Sequence, residues 1–186
     1  MYDAFRRAPA LRAACMASLR AGLLASALAA CSPTLNWRDV RLQGSALAVQ
    51  FPCRPDRVER RVALAGAPVP LSLYACQAGG LTWAVGLAEM GDPARVVPAL
   101  QAWRRETVAH VRADAGPVEP VHVPGAAPLA DAVQLRLAGR RPDGQTVQVQ
   151  LALFARGAQV YQATVLGQQV VAAAAQPFFA SLRFAP

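Results

Sequence analysis

Apolar and polar residues alternate over residues 45–90, as they do in antiparallel strands that bury one face. Turn residues separate four such runs: Gly66 and Pro68 end the second, and the Gly79-Gly80 pair ends the third. The apolar positions of the four runs are Leu47, Val49 and Phe51; Val58, Val62 and Leu64; Leu71, Leu73 and Ala75; and Leu81, Trp83, Val85 and Leu87. This pattern predicts a four-stranded meander over residues 45–90, with its second strand half-buried.

After Asp92 the hydrophobic period becomes that of a helix. Asp92 is a favourable N-cap, and Pro93 suits the first helical position. The residues that recur at helical spacing are Val96, Val97, Leu100, Trp103, Thr107, Val108 and Val111. Pro98 lies inside this run, and we expect it either to kink the helix or to delay its regular part by a turn.

Strand patterns return after a connector that holds four prolines, at positions 117, 120, 124 and 128. We expect this segment to be either an extended connector or an edge strand around residues 121–123. Three strands and a terminal helix are then predicted, around residues 133–137, 147–153, 160–166 and 170–182. The fold class is therefore α+β, with an antiparallel β-sheet flanked by helices.

The N-terminal residues have the pattern of a secretory signal. Arg12 and Arg20 precede an apolar run at 21–30, which is about half the roughly 20 residues needed to span a bilayer. Leu28-Ala29-Ala30-Cys31 resembles the lipobox of bacterial lipoproteins, which implies cleavage before Cys31 and acylation of that residue. The alternative is an ordinary cleaved signal in which the cysteine is incidental. Met16 opens a compact signal of its own, so we expect translation to start there rather than at Met1.

These features predict a signal peptide over 1–30, a lipidated N-terminus with a short tether over 31–44, and a single α+β domain over 45–186. Each buried CH₂ contributes about 0.8 kcal/mol, so two or more acyl chains on Cys31 would hold the protein firmly on a membrane. Ser32 follows Cys31; in the sorting rule of enteric lipoproteins, Asp at this position retains the protein on the inner membrane. We therefore expect a lipid anchor on the periplasmic face of the outer membrane.

All 19 basic residues are arginine, which we interpret first as a codon-composition bias. Loss of residues 1–30 removes four arginines and one aspartate and lowers the formal net charge from +8 to +5. The mature protein is still basic. Nucleic-acid binding is not expected, because secretion removes that partner and the sequence has no helix-turn-helix or zinc-finger motif.

Four arginines lie close together after Phe51-Pro52-Cys53, at positions 54, 57, 60 and 61. Alternation places Arg57 and Arg61 on one face of a strand and Arg60 on the other. One interpretation is a solvated edge whose charge discourages aggregation between strands. The sharper interpretation is that Arg57 and Arg61 contact an anionic partner, through an attraction that salt would weaken.

Processing would leave Cys53 and Cys76 as a pair, because Cys15 is lost with the signal and Cys31 carries lipid. In the oxidising periplasm we expect them to form a disulfide that contributes about 3 kcal/mol. A metal site would also need His110 and His122, which have no spacing typical of zinc sites. We therefore expect no metal and no cofactor, and a structural rather than catalytic role for His122.

The order of elements resembles the PsbP-like α/β sandwich, in which an antiparallel sheet is flanked by helices. The resemblance covers about residues 45–185 and includes the ending Phe178-Phe179-Ala180-Ser181-Leu182-Arg183-Phe184. The segments at 51–57 and 92–96 are also similar to an uncharacterised family of Gram-negative outer-membrane lipoproteins. PsbP-like domains are mostly non-enzymatic accessory or binding modules, which implies a comparable role for this chain.

The sequence holds no motif that specifies a reaction, such as a Gly-x-Ser-x-Gly elbow, a Ser-x-x-Lys pair or a phosphate-binding loop. We therefore expect no catalytic residue and no enzymatic activity. Two functions stay open: an accessory or protein-interaction module of the cell envelope, or a carrier for a small apolar ligand held between sheet and helix. A filled core with an exposed patch favours the first, and a large apolar cavity favours the second.

Overall fold

The computed structural model describes residues 35–114 and 116–185. The signal segment, the lipobox and Cys31 lie outside these residues. The described strands are β1 (Arg38–Arg41), β2 (Leu47–Phe51), β3 (Asp56–Leu64), β4 (Ala67–Ala78), β5 (Leu81–Glu89), β6 (Val118–Pro120), β7 (Val133–Arg140), β8 (Thr146–Arg156), β9 (Gln159–Gly167) and β10 (Arg183–Phe184). The helices are α1 (Val96–His110), which follows a 3-10 turn at Pro93–Arg95, and α2 (Ala172–Ala180).

The described strands form two antiparallel sheets. The large sheet has the order β3-β4-β5-β9-β8-β7-β6, and the small sheet has the order β1-β2-β10. Two hairpin turns of the large sheet, Ala65-Gly66 and Gly79-Gly80, have both central residues at positive φ, a geometry that matches the twist of paired strands. The protein is therefore an α+β protein built on antiparallel sheets with helices, as predicted.

The predicted meander is wrong in one respect, because β2 does not pair with β3. β2 is the central strand of the small sheet, where Val49 lies opposite Val40 in β1. Pro52 and Pro55 separate β2 from β3. Proline has no N–H to donate to a ladder, so these residues do not extend a hairpin, and the chain passes from one sheet to the other. The meander consists of β3, β4 and β5 alone.

The folded part begins earlier than predicted, so residues 35–44 are not a tether. β1 pairs with β2 along its whole length. The Asn36 N–H donates to the Pro52 carbonyl at 2.7 Å, and the Trp37 ring packs edge-on against Trp83 with 5.7 Å between the ring centroids. This segment therefore completes the small sheet and adds an aromatic ring to the edge of the core.

Helix α1 covers one face of the large sheet. The Asp92 side chain accepts a hydrogen bond from the Ala94 N–H at 2.9 Å and so caps the 3-10 turn. Pro98 lies in the first turn of α1, where backbone N–H groups have no partner within a helix, so the helix starts after a 3-10 turn and is not interrupted by Pro98. The buried residues of α1 are Val96, Ala99, Leu100 and Ala102.

Small residues on β5 let α1 lie close to the sheet. A Cβ atom at Gly86 would lie only 2.9 Å from the Cζ2 atom of Trp103 on α1. Ala88, two positions further along the same face of β5, is fully buried. Because contacts this short are repulsive, any larger residue at position 86 would push the Trp103 ring away from the sheet.

The small sheet and α2 cover the opposite face of the large sheet, and aromatic side chains fill the space between them. The rings of Phe154 and Tyr161 stack with 5.2 Å between their centroids. Phe178 from α2 meets Phe51 edge-on at 5.4 Å and Trp83 at 5.6 Å. All five side chains are at most 1% exposed. We call these five residues the aromatic core.

Three further predictions differ from the structure in detail. β3 is not half-buried: residues 56–61 are exposed, because β3 is the outermost strand and is buried only at Leu64, where it ends. The edge strand of the proline-rich connector is β6, at 118–120 rather than 121–123. Helix α2 is shorter than the predicted range 170–182, because Val171 still has extended backbone.

Candidate functional site

Cys53 and Cys76 form the predicted disulfide, which in the structure joins the two sheets. Cys53 follows β2 in the small sheet and Cys76 lies in β4 of the large sheet, with their Cα atoms 6.0 Å apart. Both residues pack against the buried residues around the aromatic core. Because both sulfur atoms are used in the bridge, neither is available as a thiol or a metal ligand.

Arg57 and Arg61, the residues predicted to contact an anionic partner, lie on the outermost strand β3. The Arg57 guanidinium donates to the side chains of Gln43 and Glu59. It also lies over the ring of Tyr74, 5.8 Å from the ring centroid. Internal contacts therefore hold Arg57 in place, which the alternation of the sequence did not indicate.

Arg60 and Arg61 make no ion pair within the described residues, where the ion pairs involve other arginines. In the register of β3 and β4, Arg61 lies opposite Pro70 and Arg60 lies opposite Leu71. Successive residues of a strand point to opposite faces, so these two side chains leave the edge in opposite directions. We call β3 with its three arginines, at 57, 60 and 61, together with Arg54 just before it, the basic edge.

A mostly apolar groove of about 340 Å³ lies between the second half of α1 and the strands β6 and β7. Its lining residues are Arg104, Arg105, Val108, Ala109, Gly116, Val118 and Leu135. This volume is at the lower end of the range of about 300 to 1,000 Å³ that small-molecule sites occupy. The groove is open to solvent at Val118, which is 45% exposed. We call it the apolar groove.

A polar trough crosses the part of β7 and β8 that the small sheet and α2 leave exposed. It consists of two adjoining depressions of about 250 and 520 Å³, which share Ala138 and Gln148. We define the trough by six residues whose side chains lie on this face, Arg136, Ala138, Arg140, Thr146, Gln148 and Gln150. The sequence pattern alone does not indicate this site.

Gln150 is the unusual residue of the trough. It is 8% exposed, and its Oε1 atom has no hydrogen-bond partner among the described residues. The neighbouring Gln148, by contrast, accepts a hydrogen bond from the Val170 N–H at 2.8 Å. Leaving a buried acceptor unsatisfied costs about 1 to 3 kcal/mol. The alternation of Gln and Arg along these strands is visible in the sequence, but the sequence does not show that this face stays open.

The Tyr161 hydroxyl is buried and belongs to the scaffold. Burial raises the pKa of Tyr161, while its hydrogen bond with Ser45 acts in the opposite direction. The hydroxyl donates to Gln159 Oε1 at 2.6 Å and lies 2.7 Å from Ser45 Oγ. Because the Tyr161 side chain is fully buried, a substrate cannot reach it, and its role is to connect β9 with the loop before β2.

The remaining candidate residues do not come together. In the described part of the chain, no three His, Cys, Asp or Glu side chains lie where they could hold one metal ion. His110 ends α1 and His122 lies in the connector, and both are exposed. Within residues 35–114 and 116–185, neither helix is long and apolar enough to cross a membrane.

No protein-family model matches the chain. The curated proteins likewise include none that is significantly similar to it in sequence. A function for this protein therefore rests on its own residues and surfaces: the basic edge, the apolar groove and the polar trough.

Proposed function

We propose that this protein is a lipoprotein that acts as a non-enzymatic accessory or protein-interaction module of the cell envelope. Cys31 would anchor it to the periplasmic face of the outer membrane, which the lipobox and Ser32 support, although both lie outside the described residues. The resemblance to the PsbP-like sandwich supports a binding role rather than a catalytic one. The proposal involves no cofactor, no metal and no nucleic acid.

The basic edge is the observation that carries this proposal. β3 is an edge strand of the large sheet, and its residues 56–61 are exposed. An outermost strand presents backbone N–H and C=O groups that a partner strand can pair with. Arg60 and Arg61 add positive charge on the two faces of this strand, so they favour an acidic partner segment along the edge and disfavour a basic one.

The same charges act against self-association through this strand. Two copies of the basic edge placed side by side would bring eight arginines together, and like charges at such distances repel. Arg57 is partly neutralised by Glu59, whereas Arg54, Arg60 and Arg61 have no ion pair among the described residues. The basic edge is therefore suited to an acidic protein of another kind rather than to a second copy of this chain.

The filled aromatic core favours binding of a partner protein over carriage of a small apolar ligand. A ligand carried between the large sheet and α2 would have to occupy the space that Phe154, Tyr161 and Phe178 fill. Removing a buried aromatic side chain from a core typically costs about 3 to 5 kcal/mol, so these rings do not move aside readily. Partner binding at the surface requires no such rearrangement.

A photo-cross-linking amino acid at Val58 tests the proposal in isolated envelopes. Val58 is 55% exposed on β3, so we expect it to capture an envelope protein through an acidic segment. Arg60→Glu combined with Arg61→Glu should lower the yield of that product at least about fivefold, because two attractive charges become repulsive. The difference should shrink as the Debye length falls from about 30 Å at 0.01 M salt to about 8 Å at 0.15 M.

Arg38→Glu combined with Arg41→Glu is the matched control, because it makes the same charge change on β1. A third variant, Cys31→Ala, should lose a fatty-acid label and leave the membrane fraction. The interaction proposal fails if the Arg60 and Arg61 reversals leave the yield unchanged or if the β1 control lowers it equally. Equal labelling of Cys31→Ala and the parent protein would overturn the lipid anchor.

The alternative function, carriage of a small apolar ligand, is favoured by one observation, the apolar groove. Arg104 and Arg105 lie at its side, so the groove suits an amphiphile with an anionic head and a short apolar tail. This function requires the protein to retain such a molecule through purification. A fatty acid released on denaturation, and absent from Val118→Glu, would favour carriage over partner binding.

A further inference from the structure

We propose that the polar trough is a second binding site, for an acidic oligosaccharide that carries both carboxylate and hydroxyl groups. β7 and β8 lie toward the opposite end of the large sheet from β3. The trough is therefore separate from the basic edge, and this inference goes beyond the proposed function and does not depend on it.

The register of β7 and β8 places the groups of the trough side by side. Arg136 lies opposite Gln150, Ala138 opposite Gln148, and Arg140 opposite Thr146. Cross-strand partners have Cβ atoms about 4.5 to 5.5 Å apart, so the guanidinium of one strand and the amide of the next can contact the same ligand unit. Ala138 is short, which allows a ligand to approach the sheet between the two arginines.

Gln150 supplies the observation that points to a ligand. Its Oε1 atom is buried and has no partner among the described residues, although the residue lines the depression of about 250 Å³. A turn of the side-chain amide would bring this acceptor to the depression, where a hydroxyl or N–H group of a ligand satisfies it. The ligand must therefore offer a hydrogen-bond donor at the level of Gln150.

The arginines determine the charge of the ligand. Arg136 is exposed and makes no ion pair in the described part of the chain. Arg140 donates to the Gly144 carbonyl, which leaves its charge uncompensated. Glu119, the nearby acidic residue, accepts a hydrogen bond from Gln134. Guanidinium groups pair best with carboxylates and phosphates, so the ligand that donates to Gln150 also carries an anionic group within one unit of it.

An acidic sugar fits this arrangement better than an acidic peptide. Peptides usually bind sheets by adding a strand at an edge or by burying apolar side chains in pockets. The trough is the face of an inner strand pair, and Leu137 and Val149 beside it bury their side chains toward α1. Sugar hydroxyls both donate and accept, so a uronic-acid unit can donate to Gln150 while its carboxylate accepts from Arg136.

Calorimetric titration of the full chain in detergent with a short oligogalacturonide tests this inference. We expect binding that is tighter at about 0.01 M than at about 0.15 M salt. A neutral maltooligosaccharide of the same length, which has hydroxyls but no carboxylates, should not bind measurably. An oligoglutamate with the same number of carboxylates should bind more weakly than the sugar.

Two variants separate binding from folding. Arg136→Ala should weaken oligogalacturonide binding about tenfold, since a hydrogen bond to a charged group is lost. Its control is Arg41→Ala, an exposed arginine on β1 that does not line the trough, which should not change the affinity. Gln150→Met should weaken binding about fivefold and yet raise the thermal midpoint, because it removes a buried unsatisfied acceptor. A purely structural glutamine would not show this opposite pair of effects.

The inference is overturned if the neutral sugar binds equally well or if Arg136→Ala leaves the affinity unchanged. Tighter binding of oligoglutamate would replace the sugar by an acidic peptide. Cross-linking from Val58 should be unaffected by Arg136→Ala. A protein that binds the sugar but captures no envelope partner would contradict the proposed function alone, whereas the reverse result would contradict this inference alone.

Discussion

At the scale of single residues, Tyr161 connects parts of the chain that are far apart in sequence. Its hydroxyl meets Ser45, 116 positions earlier, and Ser45 Oγ in turn accepts from the Leu47 N–H at 3.0 Å. The Tyr161 ring stacks on Phe154 within the aromatic core. One side chain thus combines apolar burial with a hydrogen-bond network that positions the first residues of β2.

Burial of Tyr161 predicts a loss of stability at high pH. Below about pH 10 the tyrosine is neutral in both the folded and the unfolded chain. Above that pH the unfolded tyrosine loses its proton, while the folded one keeps it because burial raises its pKa. The free energy of unfolding should then fall by up to about 1.4 kcal/mol per pH unit. The chain has no lysine to titrate in this range.

Denaturant unfolding between neutral pH and pH 11 measures this effect. Tyr161→Phe should be less stable at neutral pH by about 1 kcal/mol, because hydrogen bonds are lost, and should show a smaller decline above pH 10. Tyr74→Phe is the matched control: it loses the hydrogen bond from the Gln43 N–H and retains Tyr161. An equal alkaline decline in Tyr161→Phe and in the parent protein would contradict the prediction.

The sequence predicts the contacts of some single residues but not those of others. The Cys53–Cys76 bridge follows from counting, because Cys53 and Cys76 are the pair that loss of Cys15 and acylation of Cys31, as predicted, would leave. The contacts of Arg57 with Gln43, Glu59 and Tyr74 do not follow from alternation, which assigns a side chain to a face and says nothing about what lies over that face.

At the scale of elements, β1 is a strand that the pattern of apolar and polar residues does not predict. Its four residues, Arg38-Asp39-Val40-Arg41, are mostly charged and do not resemble a strand. They form a strand because β2 lies beside them and supplies the hydrogen-bond partners of an antiparallel ladder. Strand formation here is a property of the pair, since all the ladder hydrogen bonds of a strand are made with its neighbours.

A chain that begins at Ser45 should therefore be less stable than one that begins at Leu35. Loss of β1 and of the Trp37 ring removes a ladder and an aromatic contact with Trp83, at a cost of about 3 kcal/mol or more. Thermal unfolding of the two chains measures the difference. Trp37→Ala in the longer chain shows how much of it comes from the ring alone. Equal midpoints would mean that residues 35–44 act as the tether first predicted.

At the scale of the whole molecule, the protein is a large sheet with a different cover on each face. Helix α1 lies on one face, and the small sheet with α2 lies on the other. These covers leave residues 56–61 of β3 exposed at one edge of the large sheet and leave the polar trough exposed at β7 and β8. Both proposed binding surfaces are parts of the large sheet that its covers leave open.

The disulfide holds the small sheet onto the large one, so its removal should weaken the whole fold. Cys76→Ser opens a ring with a sequence separation of 23, and the chain-entropy relation predicts a loss of about 3 kcal/mol. For a domain of this size the thermal midpoint should drop by roughly 10 °C. The protein oxidised and then reduced with a thiol should show the same drop without any substitution.

The double variant Cys53→Ser with Cys76→Ser serves as the control, because it leaves no single thiol to form wrong bridges. It should match Cys76→Ser within about 0.5 kcal/mol if the bridge alone is responsible. Unchanged midpoints in both variants would show that the aromatic core, not the bridge, joins the two sheets.

The sequence by itself determined the features that depend on neighbouring residues. Alternation and turn chemistry located β4, β5 and the strands of the second half, the Asp92-Pro93 cap located the start of the helical segment, and the cysteine count identified the disulfide. These signals are local, because side-chain periodicity and capping are set within a few residues.

Only the tertiary structure decided which strands pair and which faces stay open. The assignment of β2 to a separate sheet, the exposure of β3 and the unsatisfied amide of Gln150 all depend on elements distant in sequence. A polar residue on a strand shows the same local sequence pattern whether or not another element packs over it. Whether a face of the large sheet is covered depends on how α1, α2 and the small sheet pack against it. That packing maximises the burial of apolar surface over the whole chain.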